Sequence, residues 1–486
     1  MITPRVLLVQ AIVAGSALVL GAAPSQADAG YCNLTGMTKY RWTSTATSGT
    51  GTLWSVASNW SPAHVPGQGD MATGYVCIPA GRTVIADAYV SAHIQAIDIA
   101  GTARLTLQRG SKLYVFGSKT TRPSYFRQGS NVTVSGATLG GTGAYVVSGQ
   151  LKWNSESAGG TSTILSRPCR MTNTCSGTLP SGGGGQLTVT DSGTLAIAQG
   201  ATSPGVQLRD QFRLVVRGQA TIHPDGYVAA DDGTVTELRP REDGAGLGQL
   251  TINGNGGFYQ GFLFPALGLP KLVNEGRLIK ASGVGNSTME VTYQRIPTVV
   301  GVLIAGEAQV DSGSLSLPGG APVPALVAGS ASLSTGTCHV YGCAPVPTGT
   351  DTLITTVQVP GTDTNGATMT IAETTETGPA GSFTPPARLQ AAGLDASLAA
   401  PAVLTLKYDK KVIGTRAIAD IGVWRKPESA TSYTKVVNCN TGAIPAGQTA
   451  CVDRRPTWSK KVNGDAYLTV RTTGFSRWVA RDNSFT

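Results

Sequence analysis

The stretch Gly185-Gln186-Leu187-Thr188-Val189-Thr190-Asp191-Ser192-Gly193-Thr194-Leu195-Ala196-Ile197 holds the same short phrase twice. Each copy is a glycine, a polar residue and an apolar–polar–apolar triplet. A side-chain period of two puts the apolar members on one face of an extended strand, and glycine supplies the bend between strands. The phrase recurs at 149–153, 248–252 and 313–317, and Asp191-Ser192-Gly193 is echoed by Asp311-Ser312-Gly313. Triplets often come as doublets, as Leu105-Thr106-Leu107 and Leu113-Tyr114-Val115 do. Two architectures satisfy this pattern. In a parallel β-helix, two or three short strands make each coil, and coils stack about 4.8 Å apart over one continuous core. In an antiparallel sandwich, the Asp-Ser-Gly corners would be hairpin loops. Short units, glycine corners and the lack of long helical stretches favour the solenoid, over residues 81–320.

The rest of the 486-residue chain agrees with an all-β protein. It carries 63 glycines, and 13% of its residues are charged against 41% hydrophobic. That composition excludes a highly charged disordered chain and disfavours a helical bundle, which would be rich in Glu, Lys, Leu and Arg. Residues 1–29 read as a secretory signal peptide. Arg5 precedes an apolar stretch at 6–23, and Ala27-Asp28-Ala29 is a small-x-small cleavage site. No later apolar run is long enough to span a bilayer, so the mature protein is expected to be secreted, without a transmembrane segment.

The net charge of +9 reads as spread along the chain. No Lys/Arg-rich arm with interleaved aromatics argues for nucleic acid. Mild attraction to acidic glycans or cell walls fits better. Eight cysteines in an exported chain favour disulfides, and local spacing pairs Cys32 with Cys77, Cys169 with Cys175, Cys338 with Cys343 and Cys439 with Cys451. Among four histidines only His339 lies inside a close cysteine pair, so no metal or cofactor is expected.

Residues 30–80 hold Trp42, Trp54, Asn59-Trp60, Pro62, Pro66-Gly67 and Asp70. They offer no base, nucleophile or metal cluster, and read as packing that caps an exposed core. Residues 321–350, rich in Pro, Gly, Ala and Ser, read as a linker. Residues 351–486 read as a separate domain with strands near 403–408, 421–424, 433–437, 467–471 and Trp478. The W…NW…P…D opening resembles the start of secreted bacterial β-repeat proteins and, distantly, the G8 domain. Leu272-Val273-Asn274-Glu275-Gly276-Arg277-Leu278 and the run 306–315 resemble coils of bacterial adhesin-type β-helices. The run Gly464-Asp465-Ala466-Tyr467-Leu468-Thr469-Val470-Arg471, followed by Trp478, is similar to ZU5-type β-sandwiches. These resemblances imply a right-handed parallel β-helix followed by a β-sandwich, in a protein that binds or supports.

No Gly-x-Ser-x-Gly elbow, Walker loop or His-Glu-x-x-His motif is present. The acidic run Asp225, Asp231, Asp232, Glu237, Glu242 and Asp243, with His223, Arg239 and Arg241 nearby, is the best catalytic candidate. Glycoside cleavage needs two carboxylates flanking the bond, and uronic-acid lyases use acidic residues with an Arg or Lys base. On that reading Asp231, Asp232, Glu237 and Arg239 would do the chemistry. The other candidates are Trp424, Tyr433, Trp458 and Trp478, whose rings could stack on the apolar faces of sugars. The reading preferred here is a non-enzymatic adhesion or scaffold protein with a polysaccharide or cell-surface glycan as partner; the alternative is a polysaccharide lyase or glycoside hydrolase. An enzyme requires its carboxylates to converge in one groove. For the cysteines, peptide mapping without reduction is expected to recover Cys169 linked to Cys175 and Cys338 linked to Cys343; crossed pairs would break the local scheme.

Overall fold

A computed structural model describes residues 31–484 apart from 68, 71–72, 157–160, 166–183, 199–204, 225, 232, 262–268, 297–298, 301–302, 305, 318–324, 329–330, 336–352, 361–366, 374–375, 385, 393–395 and 475. The expected signal segment, the Cys169 and Cys338 pairs, Asp225 and Asp232 therefore lie outside the described residues. Among those described, the protein is all-β with long parallel sheets, and no helix is long and apolar enough to cross a membrane.

The two phrases at 185–197 do not pair with each other. Gln186–Val189 lies in one sheet and Thr194–Ile197 in a second, Gly205–Arg209 enters a third, and Arg213–Val216 returns to the first. This cycle repeats along the chain and builds three parallel faces, the arrangement of a solenoid and not of a hairpin sandwich. Pairing is in register: Leu187 faces Leu214, Leu195 faces Ala220 and Leu208 faces Ala230. Register is enforced because a slip by one residue would turn every inward side chain outward. On the second face, Leu105, Val132, Leu151, Leu195, Ala220, Leu250, Leu278 and Ala308 form one unbroken interior column, each almost fully buried. Beside it runs Leu107, Val134, Trp153, Ile197, Ile222, Ile252, Lys280 and Val310. Lys280 alone breaks the apolar character of that column. Its ammonium donates to the carbonyls of Gly254, Ser282 and Gly283, the last at 3.3 Å, and burial lowers its pKa.

The N-terminal segment closes one end of the stack. Trp60 sits edge-on between Trp42 and Trp54, with ring centroids 4.8 Å apart in both pairs. Each of two indoles donates to a main-chain carbonyl, Trp60 to Trp54 and Trp54 to Pro66. Asn59 ties down the carbonyls of Thr50 and Leu53, and Asp70 accepts from Tyr40 and the Gly67 amide. The residues of the W…NW…P…D pattern thus cap the core, as their lack of chemistry suggests. A Cys32–Cys77 disulfide and the fully buried Asp98 hold the leading residues against the outside of the first face. Asp98 accepts from the Cys32 amide, the Tyr75 hydroxyl and, twice, from Arg127.

At the other end the first sheet stops at Thr292–Arg295 and the third at Gly257–Gln260, beyond which a separate nine-stranded sheet begins with Asn286–Thr288; the second sheet continues without a break. Two strands inside the expected linker, Ala325–Val327 and Ser332–Ser334, extend the parallel stack. Antiparallel strands are then added directly, Ala367–Glu373 to the second face and Leu353–Gln358 to the nine-stranded sheet. Inward residues of these strands and of those that follow, among them Leu353, Val357, Met369, Leu389, Leu404, Leu406 and Trp478, join the hydrophobic core of the parallel stack. The Tyr408 hydroxyl accepts from the Ala480 amide across the two sheets. A Cys439–Cys451 disulfide closes the loop at the far edge.

Leu250→Ala would leave a void in a column whose neighbours are fixed by the ladders on either side. Its cost is expected to be about 2–5 kcal/mol, read as a lower urea midpoint; a loss under 1 kcal/mol would mean that the column can collapse.

Candidate functional site

The described members of the acidic run at 225–243 are not gathered on one face. They separate because six residues suffice to turn a corner of the coil. Asp231 ends the third-face strand Tyr227–Ala230 and pairs with Arg209 on the preceding coil at 2.6 Å. Gly261 on the next coil leaves room for it, since a Cβ there would meet the Asp231 carboxylate at 1.9 Å. Glu237 sits on the outside of the first face, in Val235–Leu238, between Arg213 at 2.6 Å and Arg239 at 2.5 Å. His223 follows the second-face strand Gln219–Ile222. Glu242 and Asp243 lie on an exposed loop whose amides donate to Asp191. Arg239, the expected base, is taken up by Glu237. Burial pushes the Glu237 carboxyl up, but hydrogen bonds from Arg213 and Arg239 outweigh it and hold the group below its ordinary value. The Arg209–Asp231 and Arg213–Glu237 contacts are ion pairs between coils.

The four aromatic candidates of the C-terminal region also part company. Trp478 is 0% exposed and faces the core, so it has no free ring face. Trp424, 8% exposed, lies over Gly422, where a Cβ would meet the indole at 2.4 Å. Arg481 at 4.5 Å and Lys435 at 5.3 Å lie over its ring, as cations also do at Trp458, so it is burial that sets Trp424 apart. Tyr433 is half-buried beside Lys426. Trp458 is different: at 37% exposed, it stands on the outside of the nine-stranded sheet.

The turn that carries Trp458 is tightly held. The Trp458 amide donates to Arg455, and its carbonyl accepts from the Thr469 hydroxyl. The Ser459 hydroxyl donates to the Asp453 carbonyl and accepts from the Thr469 amide. Two guanidiniums lie over the indole, Arg471 at 4.9 Å and Arg455 at 5.7 Å. Both are fixed by the fully buried Asp453, which takes a fork from Arg455 at 2.9 and 2.6 Å and a bond from Arg471 at 2.8 Å. Burial raises the Asp453 carboxyl, and the hydrogen bonds from Arg455 and Arg471 more than reverse this. Tyr467, under Lys407, lies two residues from Thr469 on the same strand and the same side.

The sequence reading missed Asp453, Arg455 and Arg471, which no motif marks. Arg471 reaches Asp453 only because Cys451 is registered against Arg471 and Asp453 against Thr469. A plainer signal was available. The charge is not spread evenly: residues 401–486 hold 14 Lys and Arg against 6 Asp and Glu, which is +8 of the total +9. The side-chain ammonium groups of Lys410, Lys411, Lys426, Lys435 and Lys460 form no salt bridge among the described residues. Family profiles, curated proteins and solved structures were all compared with this chain, and none matches.

The Glu237 pair gives a pH dependence with a definite sign. Its folded pKa lies below that of the unfolded chain, so unfolding takes up a proton in acid. The stability it supplies is present above the ordinary value of 4.5 and is lost as pH falls through the lower folded value. Glu237→Gln should lower the urea midpoint at pH 7 and flatten its decline below pH 4.5; an unchanged acid slope would show that the pair does not report on folding.

Proposed function

We propose that this is a secreted, non-enzymatic adhesion or scaffold protein of a cell surface or extracellular matrix, with an acidic glycan as its partner. On this reading the three-faced stack is a right-handed parallel β-helix that acts as a stiff stalk. The C-terminal sheets form a β-sandwich that acts as its contact head. The observation that carries the reading is the concentration of charge. Nearly all of the net +9 belongs to residues 401–486, whose strands extend both sheets at one end of the stack. A cationic end draws in polyanions, and salt screens the attraction. The dispersal of Asp231 and Glu237 onto separate faces, each with its own arginine, supports binding over turnover.

Mature protein passed over immobilised pectate, alginate or hyaluronan should be retained at low salt. It should elute as ionic strength rises toward about 1 M, where the screening length falls to about 3 Å. A dextran column should not retain it, and no reducing ends or unsaturated products should appear. Product formation abolished by Asp231→Asn would overturn the reading in favour of a lyase or hydrolase.

A further inference from the structure

We infer that the Trp458 turn is a preformed subsite for one anionic sugar residue, a uronic acid or a sulfated hexose, within an acidic polysaccharide chain. This inference rests on the glycan-binding reading above and locates it. The argument begins with the exposed indole. Trp458 is one of seven tryptophans, and Trp42, Trp54, Trp60, Trp153, Trp424 and Trp478 are all buried. A solvent-facing indole is unfavourable for the folded chain on its own, yet here four hydrogen bonds fix the turn that presents it. Rigid presentation lowers the entropic cost of docking a ligand against it.

The second observation is the use of Asp453. One buried carboxylate holds two guanidiniums. Arg455 spends Nε and Nη2 on it, and Arg471 spends Nε. Among the described residues, Arg455 Nη1 and both Nη groups of Arg471 make no further hydrogen bond. A planar guanidinium fork suits a carboxylate or sulfate better than a lysine ammonium does. An apolar sugar face packs on an aromatic ring, while its acidic substituent needs a fixed cation next to that ring. The turn supplies both at once. Lys460 and Tyr467, registered against each other on the adjoining strands, extend the surface along the same sheet with one more cation and one more ring.

The test uses full-length mature protein and titrates oligogalacturonate, with cello-oligosaccharide of the same length as the neutral control. Trp458→Ala is expected to weaken oligogalacturonate binding about tenfold, with Trp458→Phe restoring most of it. Arg471→Lys keeps the charge and a contact to Asp453 but loses the fork, and should weaken the acidic ligand several-fold without changing the thermal midpoint by more than a few degrees. If wild-type protein binds no acidic glycan, the broader reading fails. If it binds, and Trp458→Ala binds equally well while folded, the subsite is wrong and the broader reading survives. Equal loss for the neutral oligomer would refute the anionic class. Tighter binding to a single-stranded oligonucleotide or to anionic lipid vesicles than to oligogalacturonate would overturn the assignment to a sugar.

Discussion

Everything in this molecule depends on in-register pairing between parallel coils. Each coil is too short to bury its own apolar residues, so the interior exists only as columns that several coils share. The pairing of Leu195 with Ala220, and of Ala220 with Leu250, is at once a backbone ladder and a packing contact. This coupling explains why corners are so often glycine. At Gly256, for example, a Cβ would meet the Gly226 carbonyl of the coil before it at 1.9 Å. It also explains how a lysine can stand in an interior column, since the turn carbonyls at the corner bind the Lys280 ammonium where water cannot.

A parallel stack has two ends, and open ends invite pairing with other chains. The protein treats them differently. At the start, three tryptophans and a short antiparallel strand cover the first coils. At the finish, the second sheet and the separate sheet that begins at Asn286–Thr288 change from parallel to antiparallel pairing. They end in very short strands, Thr434–Lys435 and Val437–Cys439, of two and three residues. Short, charged edges offer a poor template to a second copy of the chain.

How much of this could be read from the sequence follows from the range of the interactions. Period-two alternation with glycine punctuation is local, so the strands and the choice of stacking over hairpins were legible. So were the packing role of Trp42, Trp54 and Trp60, and the pairings of Cys32 with Cys77 and Cys439 with Cys451. Ion pairs between coils were not. Asp231 and Glu237 are close in sequence but belong to different faces, while Arg209 and Asp231 are far apart in sequence and touch. Trp424, Trp458 and Trp478 look alike along the chain; only the side of the sheet on which each lies distinguishes a buried ring from a presented one. The stretch 321–350 looked like a linker because its Pro and Gly content hides two three-residue strands, Ala325–Val327 and Ser332–Ser334.

The unbroken passage of two sheets from the stack into the C-terminal strands has a mechanical consequence. Among the described residues, load applied along the molecule meets strands that share ladders with both parts. On the adhesion reading proposed above, a contact head mounted this way would not search for a ligand by swinging on a leash, and its local concentration near a second site would be set by the orientation of the whole molecule. Several copies standing on one surface would then act like teeth of a comb, engaging together where the spacing of the opposing polymer matches and failing together where it does not.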